Sequence, residues 1–157
     1  MRVIAIDPGY DRLGVAVMEK NNNKETVIFS TCITTTKTKS TPYRLEEIGT
    51  SLEKIFATYN PSAFAIEKLF FNKNIKTALA VAESRGVAQY IARKNHCDVF
   101  EYSPQQIKIA VTGYGKSDKN AVTMMIKKLV ANVPENALDD EYDAIAVGVT
   151  HLAYIQR

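Results

Sequence analysis

The chain has 157 residues, 46% of them apolar and 24% charged, with a formal net charge of +3. That length suits one domain, 1–157, with a sizeable core, and the composition is that of an ordinary globular protein rather than a disordered, fibrous or disulfide-dense one. No apolar run nears the roughly 18 residues of a membrane span, and the chain opens into a strand with no charged-then-apolar leader, so a cytoplasmic protein with no membrane partner is expected.

Residues Arg2 to Ile6 form an apolar run of strand length, closed by Asp7, and Pro8-Gly9 turns the chain at once. Further strands are expected over about 13–20 and 25–34, joined by the polar run Asn21 to Lys24. Such short connections imply antiparallel neighbours. Thr41-Pro42 opens a helix, with Thr41 as the expected N-cap. Leu45, Ile48, Leu52, Ile55, Phe56 and Tyr59 recur at helical spacing, and Asn60-Pro61 stops the run.

Ala63 to Ile66 reads as a short buried strand that again ends in an acid, Glu67. With a helix between it and the third strand, a parallel place beside the first strand is natural. A long helix over 75–94, a strand over 98–102 and a short helix begun by Ser103-Pro104 follow. Residues 112–117 read as a flexible loop. A helix over 118–131 should turn Val122, Met125, Ile126 and Leu129 inward, and a last helix over 137–155, apolar almost all round, should be largely buried. The order predicts an α/β fold: a five-stranded mixed sheet, three antiparallel strands and then parallel ones, with helices on both faces.

Four acids can reach one edge of that sheet. Asp7 and Glu67 end two strands expected to lie side by side, and Asp140 and Asp143, three apart, share a face of the last helix near its start. Acids gathered there repel unless cations intervene, and hard oxygen donors select Mg²⁺, with Mn²⁺ as a substitute. Two such ions support in-line displacement at phosphorus; one or two per subunit are expected. Each acid has a plainer reading. Asp7 opens a turn, Glu67 pairs with Lys68 or Lys73, and Asp140 and Asp143 favour the helix dipole. Asp139 competes with Asp140, Glu141 reads as a helix-start charge, and His151 as a core or rim residue. With only His96 and His151, and with Cys32 and Cys97 far apart as reduced core thiols, zinc is not favoured. Lys68, Lys73 and Lys76 cluster after Glu67, and Lys108, Lys116 and Lys119 in the later loop region, which leans toward a phosphate-bearing polymer; for any single lysine a solvated surface is the plain alternative.

The motifs Ile4-Ala5-Ile6-Asp7-Pro8-Gly9, Phe64-Ala65-Ile66-Glu67 and Asp140-Glu141-Tyr142-Asp143-Ala144 with Thr150-His151 resemble those of the RuvC family of Holliday-junction resolvases. The stretches Phe70 to Asn74 and Ala82 to Val87 are similar as well, so the resemblance spans nearly the whole chain. It implies a ribonuclease-H-like fold and a homodimer that nicks two opposed strands of a four-way DNA junction, using Mg²⁺. It implies a catalytic, metal-holding set of Asp7, Glu67, Asp140 and Asp143. Phe70 would stack on a base near the junction centre, though a core role is the alternative. Lys108 and Lys119 would stand near the scissile phosphate; Lys73, Lys76 and Lys116 are expected as further DNA contacts from the basic clustering alone. A branch-migration complex is implied as a partner by resemblance alone. The small-residue stripe Ala78, Ala82, Gly86 and Tyr90 is the candidate dimer face; packing on the chain's own sheet is its alternative. Rival readings are a related nuclease acting on RNA or other branched DNA, half of an actin-like ATPase, and a junction-binding module without catalysis.

Overall fold

The computed structural model describes residues 1–69 and 75–155, without the side chains of 75 and 76. Phe70 and Lys73 lie outside the described residues, as does the side chain of Lys76. The elements are β1 (Arg2–Asp7), β2 (Arg12–Asn21), β3 (Lys24–Thr34), α1 (Thr41–Tyr59), β4 (Ala63–Glu67), α2 (Ile75–Lys94), β5 (Asp98–Tyr102), α3 (Pro104–Thr112), α4 (Lys119–Leu129) and α5 (Asp139–Tyr154). They build one sheet in the order β3-β2-β1-β4-β5. β1, β2 and β3 are antiparallel in turn, β4 runs parallel to β1, and β5 parallel to β4.

Alternation along the strands sorts the sheet into two unlike faces. Ile4, Ile6, Leu13, Val15, Val17, Phe64 and Ile66 point to one side, where they pack with Ile48, Leu52 and Phe56 of α1 and Ala88 and Ile91 of α2. The opposite face carries Val3, Ala5, Ala16, Met18, Ala63 and Ala65, beneath α5 and residues of α3 and α4. Its small side chains let α5 lie close. A Cβ on Gly148 would stand 2.5 Å from the Met18 sulfur and 3.3 Å from the Ala5 Cβ. Tyr142, Ala144 to Gly148 and Thr150 to Leu152 are accordingly buried, as the apolar sequence of this helix predicts. No helix among the described residues is long and apolar enough to cross a membrane.

Four local expectations are corrected. Ser40, not Thr41, occupies the N-cap of α1; the Thr41 hydroxyl instead accepts a hydrogen bond from Tyr10 at 3.1 Å. The helix expected over 118–131 is α4, capped by the Asp118 carboxylate on the Ala121 N–H (2.8 Å) and ended at Leu129, which is 49% exposed. Val130 takes the buried place because the chain there leaves the helix to bridge β3, with Val27 N–H donating to the Ala131 carbonyl at 3.0 Å. The last helix starts at Asp139, after two residues expected to be helical, which puts Asp139 and Asp140 at its first two positions. The 113–117 loop is tied rather than slack: the Thr112 hydroxyl exchanges a hydrogen bond with Ser117 at 2.7 Å and accepts one from the Tyr114 N–H at 3.2 Å.

Candidate active site

Register places the first two acids. Ile6 lies opposite Ile66 across the parallel β1–β4 pair, so Asp7 and Glu67 follow side by side, on strands roughly 4.8 Å apart. By alternation both continue the rows Val3–Ala5 and Ala63–Ala65, on the face covered by α5. Asp7 is also opposite Gly14 on β2. The third acid is brought there by backbone contact, since a Cβ on Gly14 would lie 1.9 Å from the Asp140 carbonyl oxygen. Only a glycine leaves room for the first turn of α5 at this point. Asp143 then follows on the same helical face.

The electrostatics record the same convergence. Burial, then the charges of Asp143, Glu67 and Asp140, push the Asp7 carboxyl up to about 8, against some lowering by Lys119. Glu67 is raised too, by burial and by Asp143, with Lys108 working the other way. The four sequence-predicted acids therefore act on one another, and Asp7 sits where their repulsion is greatest. Asp139 does not join them. It is exposed and lies 3.6 Å from Lys119. Glu141 does more than charge a helix start: it accepts from the Ser30 hydroxyl at 2.7 Å and from the Leu138 N–H at 3.2 Å, fastening the first turn of α5 to β3.

Two of the acids are turned to cations. The Lys119 ammonium donates to Asp143 Oδ2 at 2.8 Å, and the Arg12 Nε stands 3.2 Å from Asp140 Oδ2. Burial works to lower the Lys119 pKa, but its hydrogen bond to Asp143 and that charge outweigh it and raise it. Lys119, Lys108, Glu67 and Asp143 line one hollow of about 240 Å³ at the mouth of the cluster. Lys116 is exposed in the neighbouring loop and is not among the residues lining that hollow.

No three Asp, Glu, His or Cys side chains among the described residues form a ready-made coordination cluster. The donor set nevertheless fits a hard divalent cation. Every donor is a carboxylate oxygen, burial and then the neighbouring negative charges drive the central Asp7 toward its protonated form, and Asp140 Oδ2 is buried without a hydrogen-bond partner. A metal ion there would give that oxygen the direct contact it lacks.

The turn that follows Asp7 is held from three sides. A Cβ on Gly9 would meet the Arg12 carbonyl oxygen at 1.7 Å, which fixes how tightly it closes. The buried Ser84 of α2 donates to the Gly9 carbonyl at 2.7 Å. Arg44 of α1, also buried, lies over the Tyr10 ring at 3.8 Å, donates to Thr35 at 2.9 Å and to the Tyr10 carbonyl at 3.4 Å, and pairs with Asp11. Sequence reading missed Arg44, although its place four residues before Ile48 and eight before Leu52 sets it in phase with the apolar stripe. It missed Arg12 entirely; a charged residue opening a strand carries no signal of its partner. His151 is a core residue, its Nδ1 3.0 Å from the Tyr102 hydroxyl and its pKa lowered by burial. Neither cysteine is in a disulfide; Cys97 is buried as expected, but Cys32, on β3, is only partly buried and not a core thiol.

Comparison with known proteins gives the following. A family model described as crossover junction endodeoxyribonuclease RuvC matches residues 3–151. The chain is 42% identical over 151 residues to the crossover junction endodeoxyribonuclease RuvC of Alkaliphilus oremlandii, an alignment covering 96% of this chain and 92% of that protein. It is 43% identical over 147 residues to the protein of that name from Thermosipho melanesiensis, covering 94% of each. Among solved structures, T. thermophilus RuvC in complex with Holliday junction substrate superposes with a TM-score of 0.92 at 26% identity, over 99% of this chain and 95% of that one. The fold is ribonuclease-H-like.

Proposed function

The chain belongs to the RuvC family of crossover junction endodeoxyribonucleases, and from that premise we propose that it resolves four-way DNA junctions by paired, symmetric hydrolysis of two opposed strands at the carboxylate edge of its sheet. The carrying observation is the meeting of Asp7 and Glu67, side by side on parallel strands, with the start of α5 at Gly14, where burial and the neighbouring acids push Asp7 up to about 8.

In this reading Asp7, Glu67, Asp140 and Asp143 hold one or two Mg²⁺ ions per subunit, with Mn²⁺ as a substitute. Bound there, such ions polarise the scissile phosphate and acidify water. The chain's own residues do the rest. Lys108 and Lys119, at the hollow beside Glu67 and Asp143, steady negative charge on the phosphate as it builds. Arg44 and Ser84 fix the turn so that Asp7 keeps its aim. The products are a 5′-phosphate and a 3′-hydroxyl. Affinity comes largely from lysines on the phosphate backbone, Lys73, Lys76 and Lys116 included, and falls with salt. Phe70 stacks on a base near the crossover.

A two-fold junction needs two equivalent cuts, and a two-fold dimer supplies them. The face of α2 offered for that role is free of the chain's own core: Leu79 and Tyr90 are exposed, Tyr90 by 67%, and a Cβ on Gly86 would meet nothing within 4 Å. The 157 residues act as one nuclease domain, in the cytoplasm, alongside a branch-migration motor on family grounds.

The test is cleavage of four-way junction, plain duplex and RNA with and without Mg²⁺, incisions mapped, for wild type and Asp7→Asn. Paired symmetric nicks in the junction alone, lost in the variant, are expected. Equal cutting of duplex, or an Asp7→Asn protein that nicks like wild type, overturns the proposal.

A further inference from the structure

Arg12 opens β2 with 53% of its side chain exposed, and its Nε lies 3.2 Å from Asp140 Oδ2. That oxygen is buried, on a side chain only 18% exposed, and it accepts no hydrogen bond. The contact is thus a charge pairing off the hydrogen-bond line. A half-exposed arginine held by charge alone is readily displaced. The Arg12 guanidinium also borders a cleft of about 860 Å³ that runs from the Gly9–Tyr10 turn past Lys37 to Thr77, Ala80 and Val81 of α2. Asp11, the nearest other acid along the chain, is already engaged by Arg44 and by Lys37, the latter at 3.4 Å.

We infer that Arg12 is a phosphate-binding residue held in reserve. Without metal it neutralises Asp140. When a divalent cation loads onto that carboxylate, the cation satisfies the orphaned oxygen and repels the guanidinium, which swings into the cleft and takes a backbone phosphate of the DNA strand lying there. An arginine suits the task because its planar fork meets a phosphate with two hydrogen bonds. Metal binding and DNA binding then favour each other, each raising the affinity for the other by the same factor. The inference rests on the carboxylate metal site proposed above.

Three forms of the whole protein test it: wild type, Arg12→Gln and Arg12→Lys, each checked for an unchanged thermal melt. Mn²⁺ binding is followed without DNA, by calorimetry or by the electron paramagnetic resonance of the free ion. Four-way junction binding is followed across a salt series, once with Ca²⁺ and once with chelator. Arg12→Gln is expected to bind Mn²⁺ about two- to fivefold more tightly, because a competitor for Asp140 is gone. With Ca²⁺ its junction binding weakens and the slope of log affinity against log salt falls by about one; with chelator its slope matches wild type. Arg12→Lys keeps the slope, since the charge remains. Weaker Mn²⁺ binding by Arg12→Gln overturns the inference, because Arg12 would then be orienting Asp140 rather than competing for it. Equal salt slopes in Ca²⁺ overturn it as well, because no phosphate is touched. Failure of wild type to bind Mn²⁺ at all would remove the metal site itself, an outcome distinct from both.

Discussion

Gly14 and Asp140 approach so closely that no side chain fits between them: a Cβ on Gly14 would stand 1.9 Å from the Asp140 carbonyl oxygen and 2.5 Å from its carbonyl carbon. Both atoms belong to backbone, so neither can rotate aside. Gly14→Ala is therefore expected to push the start of α5 off the sheet, costing about 1–3 kcal/mol in urea unfolding. Junction cleavage should fall further than stability accounts for, because Asp140 and Asp143 move with the helix. Gly148→Ala, which meets the flexible Met18 sulfur, should cost less stability and leave cleavage nearer wild type.

Asp7 sets a pH dependence with a definite sign. Its folded-state pKa, about 8, lies above the ordinary 3.8. Between those values the folded protein binds the extra proton, so its stability is full below about pH 4 and declines as pH rises toward 8. Glu67, also raised, adds in the same direction. Thermal melts in chelator should show the midpoint falling from pH 5 to pH 8, with a loss on the order of a few kcal/mol. Asp7→Asn should flatten that fall while reducing cleavage more than about a hundredfold. Saturating Mg²⁺ should flatten it in wild type, because the ion replaces the proton.

Lys119 bridges Asp143 at 2.8 Å and Asp139 at 3.6 Å. Lys119→Ala is expected to lower the single-turnover cleavage rate by about 10²–10³-fold, with junction affinity in Ca²⁺ changing far less. Comparable losses in rate and affinity would mark it as an ordinary backbone contact.

Arg44 is buried against Tyr10, Thr35 and Asp11. Arg44→Met removes the charged donor shared by the Thr35 hydroxyl and the Tyr10 carbonyl, which keep only their 2.8 Å bond to each other, and leaves Asp11 to Lys37 alone; it should cost roughly 2 kcal/mol of stability, read by denaturant unfolding. Arg44→Lys should recover little, because one ammonium cannot both stack on the ring and reach three acceptors.

Tyr90 stands on the exposed side of α2. If that face joins two copies, Tyr90→Asp should shift sedimentation from dimer to monomer at micromolar concentration and abolish paired nicking, while the melting temperature of the separated chain stays within a few degrees. An unchanged sedimentation profile would remove α2 from the interface.

Much of this molecule could be read before its tertiary structure. Short unbroken apolar runs, each closed by an acid, locate Asp7 and Glu67 because strand geometry is local. The three-residue spacing of Asp140 and Asp143 fixes their common face because helix geometry is local too. Element order gave the parallel β1–β4 pairing, since a helical crossover leaves little alternative. Boundaries fared less well: Leu129 was expected inside and lies out, because the pull of Ala131 onto β3 ends α4 early, a contact made across about a hundred residues.

Tertiary structure alone decided which charge meets which. The three-residue spacing to Asp143 favours Asp140 over Asp139 but names no partner for either: Asp139 faces solvent beside Lys119, while Asp140 is drawn to Arg12 where Gly14 has no side chain. Helical phase puts Arg44 on the apolar stripe of α1, but nothing local names Tyr10, Thr35 and Asp11 as its partners, or says that Glu141 anchors α5 to Ser30. Backbone hydrogen bonding and side-chain periodicity act over a few residues, so sequence suffices to set the acids on their elements. Coulomb attraction and close packing act through space, so the partners of those acids, and the burial that raises Asp7, exist only once the sheet and α5 have come together.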